Sequence, residues 1–200
     1  MIPQIWTIGH STRKIDIFIS LLEENGIKLL ADVRQFPGSK RYPQFNKDTL
    51  ADWLGKAEIR YQHFPELGGR RKPRPDSRNT GWRNASFRGY ADYMETEEFR
   101  KAIARLVNLA TGRVRPIRQR RDSSDRRTGG LANKVGPTAI MCAEALWWRC
   151  HRALISDFLK THGLEVTHIV DHNKTEPHPF TSAARVVDGQ LSYAAHDSLL

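Results

Sequence analysis

Residues 27–33, IKLLADV, are apolar at every position except Lys28 and Asp32, and this run constrains the fold more than any other feature of the chain. A stretch so short and so evenly apolar is the pattern of a strand covered on both faces, as in a parallel sheet, because a strand with one wet face alternates. Its surroundings agree. Residues 4–8 form a short β-rich run, and Ile15, Phe18, Ile19 and Leu22 then recur at helical spacing between a capping Ser11 or Thr12 and Gly26. A βαβ unit therefore opens the chain. Further on, 48–57 reads as helix, 59–64 as a third strand, 90–109 as helix with a break near Thr96, and 137–142 as a fourth strand. Residues 147–162 predict a helix stopped by Gly163, and 164–170 a fifth strand. This alternation predicts an α/β fold: a single domain over residues 1–175 with a mainly parallel sheet flanked by helices. The tail, 176–200, contains at 186–191 the pattern of a small hairpin turning at Asp188-Gly189.

Two hundred residues are enough to bury a core without disulfides or metal staples. The chain shows no basic-then-apolar leader and no run near the ~20 apolar residues that a membrane span needs. A cytoplasmic protein with reduced thiols and no membrane partner is expected, so its two cysteines pose a question of reactivity rather than stapling. The net charge of +10 is unevenly placed. Residues 70–88 hold seven basic side chains against one acid and residues 113–137 hold eight against two, which leaves −2 for the remainder. The body is thus nearly neutral. The second of these stretches, RVRPIRQRRDSSDRRTGGLANKVGP, lacks apolar periodicity and is expected to be a disordered insertion within the domain.

Ligands of open parallel sheets bind beyond the carboxyl ends of the strands, so the residues that follow each expected strand are the candidates. The first strand delivers His10 and Ser11, the second Asp32 and Arg34, and the fourth Cys142 and Glu144. Both cysteines fall in TAIMCAEALWWRCHR, residues 138–152, where a strand is expected to give way to a helix. Near a helix N-terminus and beside Arg149 or Arg152, the Cys142 thiol would be acidified into a nucleophile; it reads equally as a small buried hydrophobe at a strand end. Glu144 is a candidate acid or base, or simply a helix cap. His151 is a candidate acid or base and Arg152 an anion clamp, whereas Cys150 and the adjacent tryptophans read as core. The loop from Arg34 to Tyr42 and the glycine-basic segment from Gly68, with Arg88 and Tyr90 beyond it, suit phosphate contact and base stacking. No cofactor is called for. A zinc site among Cys142, Cys150, His151 and His10 lacks the usual ligand spacings and stands as a third reading. A phosphatase-type cysteine loop fails on its count, since Trp148 stands where the closing arginine belongs and Arg149 comes one place late.

In order, TIGHSTR, DVRQFPGSKRYPQF, ELGGRR, FRGYADYM and MCAEALWWRCHR resemble the domain of unknown function 488 (DUF488) family, from Trp6 to about residue 169. The resemblance implies a compact α/β domain. It also singles out Gly9, His10, Ser11, Asp32, Arg34, Pro37, Gly68, Gly69, Arg88, Gly89, Tyr90, Cys142, Glu144, Cys150, His151 and Arg152 as positions matching the family's motifs. The arginine-rich stretch departs from the short turn that the family carries there.

Three readings follow. The leading one is an enzyme acting on an anionic substrate, a nucleotide or nucleic acid, with His10, Arg34 and Arg152 binding the anion and Cys142, Glu144 and His151 carrying chemistry. The second is a non-catalytic module that binds nucleic acid or a nucleotide through its basic loops. The third is a zinc-binding protein.

Overall fold

The computed structural model describes residues 2–112 and 136–195. Most of the arginine-rich stretch expected to be a disordered insertion lies outside these residues. Six strands build one sheet in the order β3-β2-β4-β1-β5-β6: β1 is Gln4–Gly9, β2 Leu29–Asp32, β3 Arg60–His63, β4 Thr138–Cys142, β5 Glu165–Asp171 and β6 Lys174–Pro177. The first five run parallel and β6 returns antiparallel along the edge of β5. Five helices cover it: α1 Ile15–Glu24, α2 Lys47–Lys56, α3 Ala85–Met94, α4 Glu97–Thr111 and α5 Arg152–Thr161. This is the single α/β domain that the strand pattern implies.

Alternation along the strands sorts the core onto two faces. Ile8, Leu30, Ala139 and Met141 pack with Phe18, Leu22, Leu50 and Leu54 of α1 and α2. Ile5, Ala31 and Ile140 pack with Tyr90, Phe99, Ile103 and Leu154 of α3, α4 and α5. Both sheet faces are therefore dry, which is why β2 is buried at all four positions. Cys142, next to Met141, falls on the α3–α5 side.

Several ends differ from the sequence expectation. Helix α1 begins after Lys14 with no side-chain cap, because Ser11 takes a left-handed backbone (φ 49°) and its N–H bonds to the Ala143 carbonyl instead. Helix α3 starts five residues before Tyr90, capped by Asn84, whose side chain accepts from the Ser86 and Phe87 N–H groups. The break at Thr96 is present, with the Thr96 hydroxyl accepting from Phe99 N to open α4. The segment expected to be one helix from Trp147 is divided: Trp147–Arg149 is a single 3₁₀ turn, Cys150 is extended, and α5 begins only at Arg152. In the tail, β7 Arg185–Val187 and β8 Gln190–Ser192 pair antiparallel about Asp188 and Gly189, both at positive φ.

Candidate functional site

Strands β2, β4 and β1 are neighbours in that order, so their carboxyl ends deliver Arg34, Cys142 and His10 to one place. Backbone bonds lock the junction: His10 N donates to Cys142 O (3.0 Å), Ser11 N to Ala143 O (2.9 Å) and Val33 N to Met141 O (3.0 Å). The approach requires glycine at position 9, where a Cβ would overlap the carbonyl oxygen of Glu144. Above this junction lies a cleft of about 730 Å³. Seven of the residues expected at the site line it, namely His10, Ser11, Arg34, Tyr90, Cys142, Glu144 and His151. Asp32, Arg88 and Arg152 do not.

Arg34 is the best-held cation of the cleft. Its Nε donates to both carboxylate oxygens of Asp32 (2.9 and 3.1 Å), its Nη2 to Oδ2 (2.6 Å) and its backbone N–H to Oδ1 (3.0 Å). Tyr61 donates a further bond to Asp32 (2.7 Å), so this fully buried carboxylate serves to aim the guanidinium rather than to meet a ligand. Nη1 of Arg34 reaches His10 Nε2 at 3.3 Å, and His10 Nδ1 faces the Ser11 carbonyl at 2.9 Å. With the proton on Nδ1 and the lone pair on Nε2, both nitrogens are satisfied in the neutral imidazole. Burial, then the Arg34 charge, holds its pKa down at about 4. The ring also stacks on Phe45, with centroids 4.2 Å apart. His10 thus orients Arg34 as a neutral acceptor and brings no charge of its own to an anion.

The opposite wall is sulfur and imidazole. Cys142 Sγ, Cys150 Sγ and a ring nitrogen of His151 lie within 4.8 Å of one another, with Cys150 Sγ 3.6 Å from His151 Nδ1. Cys150 is buried as the sequence implies, yet it belongs to the cleft wall. Acidity is divided contrary to the expectation for Cys142. Its thiol donates to Cys150, and that bond together with burial raises its pKa well above the ordinary value. Burial acts upward on Cys150 too, but the bond from Cys142 and the nearby His151 and Arg152 outweigh it, and its pKa falls well below. Because the helix expected from Trp147 is divided, it is also Cys150, not Cys142, that stands at the N-terminal approach to α5. His151 Nε2 faces the Val33 carbonyl at 3.3 Å. Glu144 lines the cleft while its Oε1 accepts from Leu146 N (3.3 Å), tightening the turn before Trp147.

Arg152 sits beneath the wall, 1% exposed. Its Nη2 donates to the carbonyls of Glu144 and Ala145, and its Nη1 to Thr7 Oγ1 at 3.3 Å. The guanidinium is a brace for the Cys142–Ala145 segment, not a clamp exposed to the cleft. Beyond it runs a buried chain that single-sequence reasoning missed. Thr7 Oγ1 lies 2.7 Å from His168 Nδ1, His168 Nε2 lies 2.9 Å from His178 Nδ1, and His178 Nε2 lies 3.0 Å from Asp157 Oδ1. Asp157 also accepts from Thr181 N (2.9 Å) and from the hydroxyls of Thr181 (2.6 Å) and Tyr193 (3.0 Å). Tyr90, expected to stack on a base, is 1% exposed and donates to the Leu67 carbonyl (2.7 Å), so it forms the floor. Arg88 is half-buried away from the cleft.

Arg70 and Arg149 line the cleft as additional exposed cations, and Phe36, Tyr42 and Phe87 line it too. Arg149, expected from the sequence to add positive charge near Cys142, ends the 3₁₀ turn and lines the same cleft as that thiol. Arg70, like Ser11, has a left-handed backbone (φ 64°), so two non-glycine residues with strained φ border the same cleft.

A family model described as "Domain of unknown function DUF488" matches residues 14–125. That span includes Asp32, Arg34, Arg88 and Tyr90, and leaves His10, Ser11 and the cysteine segment outside it. Comparison with curated proteins and with solved structures finds no match.

Proposed function

The chain belongs to the DUF488 family, and on that premise we propose that it is a small cytoplasmic enzyme acting on an anionic substrate, a nucleotide or nucleic acid. One observation carries the reading: Arg34, aimed by Asp32, and the Cys142–Cys150–His151 cluster line the same cleft. A permanently charged planar donor opposite a thiol pair fits a substrate whose anionic group must be held while an adjacent atom reacts. Cys142, Glu144 and His151 are kept as the residues that carry the chemistry, with Cys150 as the more acidic of the two thiols. Arg70 and Arg149 extend the anion contact that the sequence assigned to His10 and Arg152. A second reading, a non-catalytic nucleic-acid module, draws on Phe36, 68% exposed on the same cleft as these cations and available for base stacking.

The test is iodoacetamide alkylation of the two cysteines with and without adenosine monophosphate, alongside calorimetric binding of the nucleotide. Bound nucleotide is expected to slow alkylation. Arg149→Gln, a change at an exposed side chain, is expected to weaken binding about tenfold, the ~1.4 kcal/mol scale of one charge-assisted contact. Unprotected thiols and no nucleotide binding would overturn the reading. Binding only to oligonucleotides, steeply salt dependent and without thiol protection, would favour the module instead.

A further inference from the structure

Three donor atoms on the cleft wall satisfy a more specific demand than nucleophilic chemistry makes. We propose that Cys142 Sγ, Cys150 Sγ and His151 Nδ1 are the three protein ligands of a zinc ion whose fourth coordination position opens into the cleft. This rests on the reading that the cleft is the working site, and says what its sulfur atoms are for.

The first support is distance. With Zn–S near 2.3 Å and Zn–N near 2.0–2.1 Å, a tetrahedral ion places a sulfur and a nitrogen ligand ~3.6 Å apart. Cys150 Sγ and His151 Nδ1 are 3.6 Å apart, and the two sulfurs and a ring nitrogen of His151 fall within 4.8 Å of one another, so small side-chain adjustments close the site. No other such trio comes together among the described residues. Local backbone explains why adjacent residues converge. Cys150 is extended (φ −126°) whereas His151 has helical backbone (φ −58°), so their side chains need not diverge by the ~100° that separates neighbours within one helix.

The second support lies behind the ligand. Histidines that bind metal through one ring nitrogen characteristically donate the other N–H to a carbonyl or carboxylate, which fixes the tautomer. His151 Nε2 faces the Val33 carbonyl at 3.3 Å, so Nε2 carries the proton and Nδ1 presents its lone pair toward the sulfurs. Room on that side is kept by Gly69, where a Cβ would come within 2.9 Å of His151 Nδ1. His10 is excluded from the ligand set because both of its nitrogens are already engaged.

Charge and openness complete the case. Two thiolates and a neutral imidazole around a divalent cation sum to zero, which removes the cost of burying anionic sulfur in an apolar wall. Three protein ligands and an open fourth place are the arrangement of catalytic zinc, whereas structural sites are closed by four. The open place faces the same cleft as Arg34, so one oxygen of a bound anion can complete the coordination while Arg34 holds another.

The test uses the full chain stripped with chelator and titrated with cobalt(II) as a spectroscopic probe. One equivalent is expected to bind with the intense visible bands of tetrahedral cobalt and near-ultraviolet thiolate-to-cobalt charge transfer, and zinc is expected to displace it. Loss of an outer partner of a metal ligand costs ~10–100-fold, so Cys150→Ser and His151→Gln should each weaken zinc binding by more than ~100-fold. Arg149→Gln should leave the cobalt spectrum unchanged. Wild-type protein that gives only the weak spectrum of octahedral cobalt, or a Cys150→Ser variant that binds zinc as tightly as wild type, would overturn the site. If the metal fails to bind while nucleotide still protects the thiols, the zinc site falls and the anion enzyme stands. If the metal binds and nucleotide does not, the reverse holds.

Discussion

At Gly9 the missing side chain allows β1 to pass directly beneath the segment that carries Cys142 and Glu144. A Cβ would overlap the Glu144 carbonyl oxygen and sit 2.8 Å from the Ala145 Cα, both backbone atoms that no rotamer change can move. Gly9→Ala is therefore expected to cost about 1–3 kcal/mol of stability and to loosen the cleft wall, because the whole segment must shift to make room. Urea unfolding measures the first effect, and an increased alkylation rate at Cys142 the second; a variant with wild-type values for both would show that the junction is not close-packed. The residue types of this site were legible because strand ends can be placed by pattern, and pattern put His10, Arg34, Cys142 and Glu144 there. Their roles were less so. A single sequence cannot show that His10 is buried beside Arg34 and neutral, or that Asp32 spends both oxygens on one guanidinium.

Helix α5 owes its hold on the sheet to more than apolar contact. Its Asp157, on the turn after Arg152, is fully buried and accepts from four donors: one imidazole, one backbone N–H and two hydroxyls. Two of the four groups engage Oδ1 and two engage Oδ2, so Asp157→Asn must turn an amide donor toward donors. A loss of about 1–3 kcal/mol is expected, the cost of a buried polar group left unpaired, together with looser anchoring of the β7–β8 hairpin through Tyr193. Denaturant unfolding and hydrogen exchange at residues 185–193 read these two effects; wild-type stability would mean that the site is wet. Elements came from the sequence in proportion to their apolar rhythm. All five strands of the parallel set and the Thr96 break were legible, while the start of α3 lay hidden in a polar stretch capped by Asn84. The single helix expected from Trp147 failed because apolar spacing says nothing of a 3₁₀ turn followed by an extended residue. The His168–His178 pairing was invisible for another reason: its partners come from β1, β5, α5 and the tail, and sequence periodicity carries no information across such separations.

The molecule as a whole is built to be destabilised by mild acid. His10 is held at about 4 and His168 at about 2, in each case chiefly by burial, against about 6.5 in an unfolded chain. Between those values the unfolded state binds the proton and the folded state does not. The stability present above pH 6.5 is therefore lost as pH falls, at about 1.4 kcal/mol per pH unit for each histidine. Urea unfolding at pH 7 and pH 5 should show this slope, and His168→Asn should flatten it; a wild-type stability unchanged between the two would show these rings to be solvated. Sheet topology explains why such groups can be buried at all, since helices cover both faces and polar side chains must find partners inside. Among the described residues no helix is long and apolar enough to cross a membrane. The buried chain has a direction. Arg152 donates to Thr7 Oγ1 at one end and Asp157 Oδ1 lies beside His178 Nε2 at the other, so the chain runs from a guanidinium to a carboxylate through Thr7, His168 and His178. A guanidinium and a carboxylate that do not touch are thereby joined through three polar links, and β1, β5, the tail and α5 are held to one another by a single continuous hydrogen-bonded path.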